Sequence, residues 1–152
     1  MGFSLNGDAL QAYQPNRYPF LMIDYVTDVE PGKYANGHKH LSNNEWYFPI
    51  HFPGHPNMPG ALQVEALAQM LTVAITTQEG LKGRTTRVLH YTARFRKEVL
   101  PGESLMIEAY VDSWRRGVCK GHATGATNGT IACEAEMMIT IPEIFEQYLP
   151  KR

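Results

Sequence analysis

Apolar and polar residues alternate along much of this chain in runs that end at turn-forming residues. The alternation predicts six β-strands, at 20–26, 33–41, 87–99, 104–113, 118–126 and 130–141. Proline and glycine, or asparagine and glycine, separate most of these runs, as at Glu30-Pro-Gly32 and Asn128-Gly129. Such short connections favour antiparallel pairing of successive strands.

The segment that follows Pro59 has a different pattern, because its residues are apolar around almost the whole circumference of a helix. This predicts a buried helix that begins near Pro59 and Gly60 and ends near Gly80. The polar exceptions recur at helical spacing and form one stripe: Glu65, Gln69, Thr72 and Thr76. The two patterns together predict an α+β fold in which a curved antiparallel sheet wraps around one central helix.

Composition limits the function classes. The chain has 152 residues, of which 43% are hydrophobic and 19% charged, and this predicts one globular domain over residues 1–152. A net charge of −1 excludes a strong overall attraction to nucleic acid or to an anionic membrane surface. The first eight residues lack the features of a secretory signal, and the apolar stretch 61–75 contains too many polar groups for membrane insertion.

The two cysteines predict a reducing, cytoplasmic setting. If Asn128-Gly129 turns a hairpin, paired residue numbers sum to 257, so that Cys133 faces Thr124 and Cys119 faces Met138. The two thiols would then lie five rungs apart, about 16 Å along the strands. That separation is too large for a disulfide.

Glu65 is the most informative polar residue, since its neighbours Val64 and Ala66 are apolar. Burial raises the pKa of a carboxyl group, which would let Glu65 donate a proton near neutral pH. The alternative is a solvated or salt-bridged helix glutamate. The apolar surroundings, and His51 in a rigid loop fourteen residues earlier, favour the general acid.

His51 opens a loop rich in proline and glycine, which has few conformations and can hold an imidazole in one place. Imidazole accepts a proton at physiological pH, although a packing role is the alternative. Between His51 and Glu65 lies Gly60, where the free amides of a helix N-terminus can stabilise negative charge on a carbonyl oxygen. This combination suits removal of a proton next to a thioester, with loss of a β-hydroxyl group.

Other chemistries are disfavoured. His51 and His55 have a metal-like spacing, but Pro53 and Gly54 prevent the helix that would bring them together, so we expect no metal. The chain contains no phosphate-binding glycine motif and no serine-hydrolase elbow.

The segment from His51 to Gln69 resembles the signature of the FabZ-type (3R)-hydroxyacyl-[acyl-carrier-protein] dehydratases. The resemblance rests on His51-Phe-Pro-Gly-x-Pro-x-Met-Pro-Gly60 and on Glu65-Ala-x-Ala-Gln69. It extends over roughly residues 13 to 141 through 16–24, 30–32, 44–45 and 93–102. The related FabA type carries aspartate where Glu65 stands, so the chain looks FabZ-like.

The resemblance implies a hotdog-fold homodimer, often assembled into a hexamer, in which His51 of one subunit meets Glu65 of the other. It assigns removal of the C2 proton to His51 and protonation of the leaving hydroxyl to Glu65. Gly60 N–H would hold the thioester carbonyl, and the Asn57 carbonyl would orient His51. The resemblance implies no cofactor. The substrate would arrive on a phosphopantetheine arm in an acyl tunnel, which we expect to be lined by Phe52, Met58 and Gln69.

Acyl carrier proteins are acidic, so a basic docking patch is expected, and Arg94, Arg96 and Lys97 are the candidates, with Arg115-Arg116 as a second choice. Each could equally be solvated surface charge. Three other functions stay open: a hotdog acyl-thioesterase, a non-catalytic acyl-carrier-binding protein, and isomerisation of the trans-2 double bond.

Overall fold

The computed structural model describes residues 2–152, and within them seven strands form one antiparallel sheet. In chain order the elements are β1 (Phe3–Leu5), α1 (Gly7–Gln11), β2 (Tyr25–Glu30), β3 (Tyr34–His40), α2 (Gly60–Thr76), β4 (Arg87–Phe95), β5 (Ser104–Arg115), β6 (Val118–Thr127), β7 (Thr130–Thr140) and α3 (Pro142–Phe145), followed by a 3-10 turn at Glu146–Tyr148. The order of strands across the sheet is β1-β2-β3-β5-β6-β7-β4. The predicted hotdog fold, a sheet around one central helix, is confirmed.

Helix α2 lies against the inner face of the sheet, and its apolar residues fill the core. Two inner-face glycines let it approach closely. A Cβ on Gly37 would lie 2.9 Å from Met70 Cε, and a Cβ on Gly121 would lie 2.7 Å from Leu71 Cδ2. Larger residues at these two positions would clash both with these helix side chains and with the backbone oxygens of Tyr25 and Tyr110 on the neighbouring strands.

The first predicted strand is placed wrongly, since strand β2 begins at Tyr25 rather than at residue 20. The preceding backbone makes its hydrogen bonds elsewhere. Phe20 N and Leu21 N donate to Arg17 O, while Met22 N donates to the side chain of Gln69. Residues 20–22 therefore have the apolar composition of a strand, but their backbone N–H groups bond to Arg17 O and to a helix side chain instead of to a neighbouring strand.

The end of α2 also differs from the prediction, because the helix stops at Thr76 and Gly80 lies in the following turn. Its last carbonyls find partners before a glycine is reached. Gly32 N, in the β2–β3 turn, donates to Ala74 O at 2.8 Å, and Thr77 Oγ1 donates to Val73 O at 2.8 Å. These bonds satisfy the helix end that a C-terminal glycine would otherwise complete.

The predicted β6–β7 register is correct only at the turn. Thr127 pairs with Thr130, but beyond a bulge Gly125 pairs with Cys133. The bulge places Ala132 O where it accepts from Arg96 N at 2.7 Å. Cys119 therefore faces Ile139 rather than Met138, and both cysteines are buried and free.

Candidate active site

The loop before α2 is fastened by bonds between its own backbone and side-chain groups. Phe52 N donates to His55 O at 2.9 Å, and His55 N donates back to Phe52 O at 2.8 Å. Asn57 N and Asn57 Nδ2 both donate to His51 O, at 3.0 and 3.2 Å. Just before the helix begins, Met58 N donates to Val99 O at 2.8 Å. The ends of the loop are thus tied to each other and to the core.

The His51 ring is oriented by the carbonyl of Asn57, which lies 3.0 Å from Nδ1. A carbonyl oxygen can only accept, so Nδ1 carries the proton of the neutral ring. Nε2 is then the unprotonated nitrogen, with a lone pair available to a substrate proton. The ring is partly buried and lies beside Phe52, with 4.3 Å between ring centroids.

Gly60 is the first residue of α2, and Pro59 before it provides no side-chain cap. Leu62 N and Gln63 N both donate to Pro59 O at 3.0 Å. The amides of the first two helical residues, Gly60 and Ala61, have no intrahelical acceptor and lie at the positive end of the helix dipole. Phe95 from strand β4 packs against Gly60, and a Cβ there would lie 2.9 Å from ring atoms Cε1 and Cζ. Sequence reasoning missed this contact, because the two residues are far apart in the chain.

Glu65 lies one turn further along α2, half-buried between the buried residues Val64 and Ala66. Burial raises the pKa of its carboxyl group above the ordinary value, and a hydrogen bond from Gln69 acts in the opposite direction. The bond runs from Gln69 Nε2 to Glu65 Oε1 at 2.9 Å. Among residues 2–152 no hydrogen bond or ion pair joins Glu65 to His51 within one chain.

Gln69 is held by the backbone of the segment that precedes β2. Met22 N donates to Gln69 Oε1 at 2.7 Å, and Gln69 Nε2 donates to Phe20 O at 2.7 Å. The backbone donor fixes which end of the amide is oxygen, so that Gln69 can present only its NH₂ group to Glu65. Gln69 is 1% exposed, and these contacts make it a support for Glu65.

The comparisons with known proteins agree on one family. Residues 14–136 match the model described as the FabA-like domain. The chain is 41% identical to the 3-hydroxyacyl-[acyl-carrier-protein] dehydratase FabZ of Bacillus licheniformis over 140 residues, which cover 91% of this chain and 97% of that protein. It is 42% identical to the FabZ of Roseiflexus castenholzii over 138 residues, which cover 90% and 96%. The chain belongs to the FabA-like family.

Solved structures share the fold of this FabA-like chain at low sequence identity. The dehydratase heterocomplex ApeI:P from Xenorhabdus doucetiae matches with a TM-score of 0.76 and 15% identity, over 93% of this chain and 97% of that one. A hypothetical thioesterase from Streptococcus pneumoniae, solved with coenzyme A, matches with a TM-score of 0.58 and 13% identity, over 73% and 80%. At these identities the likeness concerns the fold alone.

The other predicted tunnel residues of the FabA-like chain lie in different environments. Phe52 is 56% exposed and borders a shallow groove of about 220 Å³ that is lined largely by prolines. Met58 is 1% exposed and belongs to the core. Two larger depressions, of about 500 and 450 Å³, lie on the outer face of the sheet, and neither is lined by His51 or Glu65.

The predicted docking residues lie at and just beyond the end of β4. Arg94 is exposed and pairs in register with Glu134, while Arg96 Nη2 lies 2.6 Å from Glu134 Oε1. Lys97 Nζ donates to Thr127 O at 3.4 Å. One carboxylate therefore offsets part of the positive charge of this patch.

Within residues 2–152 no group of three histidine, cysteine or acidic side chains is arranged to hold a metal ion. In the same part of the chain, no helix combines the length and apolar character needed to cross a membrane.

Proposed function

We propose that this chain dehydrates (3R)-hydroxyacyl thioesters on acyl carrier protein to trans-2-enoyl thioesters, with His51 as general base and Glu65 as general acid. The observation that carries the proposal is the 41% identity to a FabZ dehydratase across 91% of the chain. Relatives so named act on substrates held by acyl carrier protein. We place the activity in the cytoplasm, in one domain formed by residues 1–152, and the free cysteines fit a reducing setting.

The reaction follows from the tautomer of His51. Nε2 takes the proton from C2 of the substrate, and the electron pair of that C–H bond forms the C2–C3 double bond. The C3–O bond breaks, and Glu65 donates its proton to the departing hydroxyl group, which leaves as water. The enzyme is left with an imidazolium at His51 and a carboxylate at Glu65. It returns to its starting state when His51 releases one proton to solvent and Glu65 takes one up. Gly60 N–H stabilises the negative charge that develops on the thioester oxygen.

The raised pKa of Glu65 supports its role as the acid. A carboxyl group at its ordinary pKa is almost fully ionised at neutral pH and has no proton to give. Burial shifts Glu65 toward the neutral form, while Gln69 keeps the group oriented. His51 needs the opposite state, a neutral ring, and the Asn57 carbonyl favours the useful tautomer.

The active site in this proposal is shared between the two subunits of a homodimer, so that His51 meets the partner's Glu65. Strand β4 supports this, since it is an edge strand with exposed apolar side chains. Leu89, Tyr91 and Phe95 are 43, 48 and 53% exposed, and such a surface calls for a partner. A trimer of such dimers is the hexamer that the resemblance implies.

The test is turnover of a 3-hydroxyacyl thioester on acyl carrier protein, with enoyl formation followed by absorbance and mass. We expect His51→Ala and Glu65→Gln to lower kcat by about 10²–10⁴-fold each. His55→Ala is the matched control, because His55 lies in the same loop and bonds to Glu98 instead. Release of free thiol without enoyl product would replace the proposal with a thioesterase. Binding without turnover would make the chain a carrier-binding protein, and movement of the double bond would indicate an isomerase.

A mixed dimer tests the shared site. We expect homodimers of His51→Ala and of Glu65→Gln each to have lost most of their activity, whereas a dimer of one subunit of each contains one site with both groups intact. We therefore expect activity to return when the two variants are co-expressed. If it does not return, His51 and Glu65 of different subunits do not form one site.

A further inference from the structure

Lys39 is a buried lysine that the proposed mechanism does not use. It lies on β3 and is 6% exposed, with its side chain on the inner face that it shares with Ala35 and Gly37. Its ammonium group contacts two carboxylates, Glu45 Oε1 at 2.8 Å and Asp24 Oδ2 at 3.4 Å. A buried charge of this kind is costly unless it is paired, so the lysine and the two carboxylates hold one another in place.

Lys39, Asp24 and Glu45 form an ion triad, and Asp24 is connected to Glu65 through the backbone from Met22 and a series of hydrogen bonds. Asp24 Oδ2 also accepts from His40 N at 2.7 Å, which fixes the carboxylate on strand β3. Met22 lies two residues before Asp24, and its N–H donates to Gln69, which in turn donates to Glu65. The position of the Asp24 carboxylate therefore sets the backbone that supports the proposed acid.

The other carboxylate of the triad, Glu45, is connected to His51 through the backbone turns between them. Phe48 N donates to Glu45 O at 3.2 Å, and Ile50 N donates to Tyr47 O at 3.3 Å, so that consecutive turns connect Glu45 to His51. Tyr47 and Phe48 are buried in the core and anchor these turns. A second link joins the segments that carry the two carboxylates, because Trp46 Nε1 donates to Pro19 O at 3.1 Å.

We propose that Lys39 is a positioning residue that holds the Gln69–Glu65 pair and the His51 loop of one chain in a fixed relation. The proposal rests on the proposed function, in which Glu65 is the acid and His51 the base. In a dimer with shared sites, these two groups of one chain serve different active sites. A change at Lys39 in one subunit therefore disturbs both.

The titratable groups around the triad are His38, His40 and Tyr47. The pKa of His38 is lowered by burial and by His40, and Asp24 acts in the opposite direction. The pKa of the Tyr47 hydroxyl is raised by burial and by the charges of Glu45 and Asp24. Tyr47 is therefore neutral near pH 7, and Lys39 supplies the positive charge that Asp24 and Glu45 face.

The test compares Lys39→Met with Lys33→Met in the full-length protein. Lys33 is the matched control, because this exposed lysine pairs with Glu30 in the turn just before the same strand. We expect Lys39→Met to lower kcat about tenfold or more through misplaced catalytic groups, with KM changed by less than about twofold. Lys33→Met should leave both constants unchanged.

A second readout does not need turnover. Glutamate side-chain carboxyls labelled with ¹³C can be titrated by NMR, and Glu65 is assigned as the signal lost in Glu65→Gln. Since the Gln69 bond lowers the pKa of Glu65, loosening it in Lys39→Met should raise that pKa. The two proposals can fail separately. If the wild-type protein has no dehydratase activity but Lys39→Met still shifts the Glu65 titration, the proposed function is wrong and the positioning role of Lys39 stands.

Lys39→Met could instead lower the melting temperature while kcat and the Glu65 titration, both measured well below that temperature, match the wild type. Lys39 would then only stabilise the fold, and the proposal would be overturned. If Lys39→Met does not fold, Glu45→Gln keeps the shape of the side chain and removes one charge of the triad. It should show the same loss of kcat in milder form, and the proposal is equally overturned if Glu45→Gln matches the wild type in both measurements.

Discussion

Gln69 Nε2 lies 2.9 Å from Glu65 Oε1, one turn apart on α2, and the same nitrogen also donates to Phe20 O at 2.7 Å. The amide cannot rotate without breaking its bond from Met22 N. The proposed acid is therefore oriented by a side chain whose own orientation is set by backbone.

Replacing Gln69 with methionine should cost stability. The backbone N–H of Met22 and the carbonyl of Phe20 lose their partners, and each unsatisfied group costs about 1–3 kcal/mol, so we expect the free energy of unfolding to fall by about 2–6 kcal/mol. Urea titration measures the change. Gln78→Met is the control, because the side chain of Gln78 makes one hydrogen bond, to Ile75 O at the helix end. A loss of equal size in both variants would contradict this account of Gln69.

Glu65 should make stability depend on pH. Its pKa in the folded protein is raised above the ordinary value of 4.5, so folding favours the neutral carboxyl. The resulting contribution to stability is fully present below the pKa that Glu65 has in the unfolded chain, and it is lost as the pH rises through the pKa that Glu65 has in the folded protein. The wild type should therefore lose stability relative to Glu65→Gln between pH 4.5 and neutrality. Urea unfolding of both proteins across this range measures the difference, and a constant difference would show that the group is not perturbed.

Gly60 and Phe95 should be energetically coupled. A Cβ at residue 60 would lie 2.9 Å from two atoms of the Phe95 ring, so Gly60→Ala must displace the ring or the start of α2. We expect a loss of about 1–3 kcal/mol in unfolding free energy. In Phe95→Leu the clash is relieved, so a double-mutant cycle should give a coupling of about 1 kcal/mol. Additive effects would mean that the ring moves aside without cost.

A charge on the inner face of β4 should dissociate the proposed homodimer. Tyr91 pairs in register with the buried Met137, whereas Thr92 pairs with the exposed Glu136, so the two side chains lie on opposite faces of the sheet. We expect Tyr91→Glu to sediment as a monomer without dehydratase activity, because a carboxylate in an apolar interface is costly. Thr92→Glu, one residue away, should remain dimeric and active. Dimeric behaviour in both variants would place the interface elsewhere.

The sequence predicts the elements near the site well, for physical reasons. Alternation with period two predicts strands 104–113, 118–126 and 130–141 within a few residues, because each has one face in the core. The loop from His51 to Gly60 is locally determined, since its prolines restrict the backbone and Asn57 is close enough in sequence to contact His51. The start of α2 at Gly60 follows from the proline before it.

Contacts between distant residues are decided only by the tertiary structure. The apolar run at 20–24 has a strand-like pattern, but the side chain of Gln69 takes its backbone bonds, and no local signal reveals that competition. The one-residue bulge at Ala132 accompanies a bond from Arg96 N, beyond the end of β4, to Ala132 O, and no local pattern predicts that contact. The sequence by itself identified the groups to which we assign the proposed chemistry, and it determined how the loop between them is built. Folding decided the orientation of Glu65 and the burial of Lys39, because both depend on partners that meet only when the sheet closes around the helix.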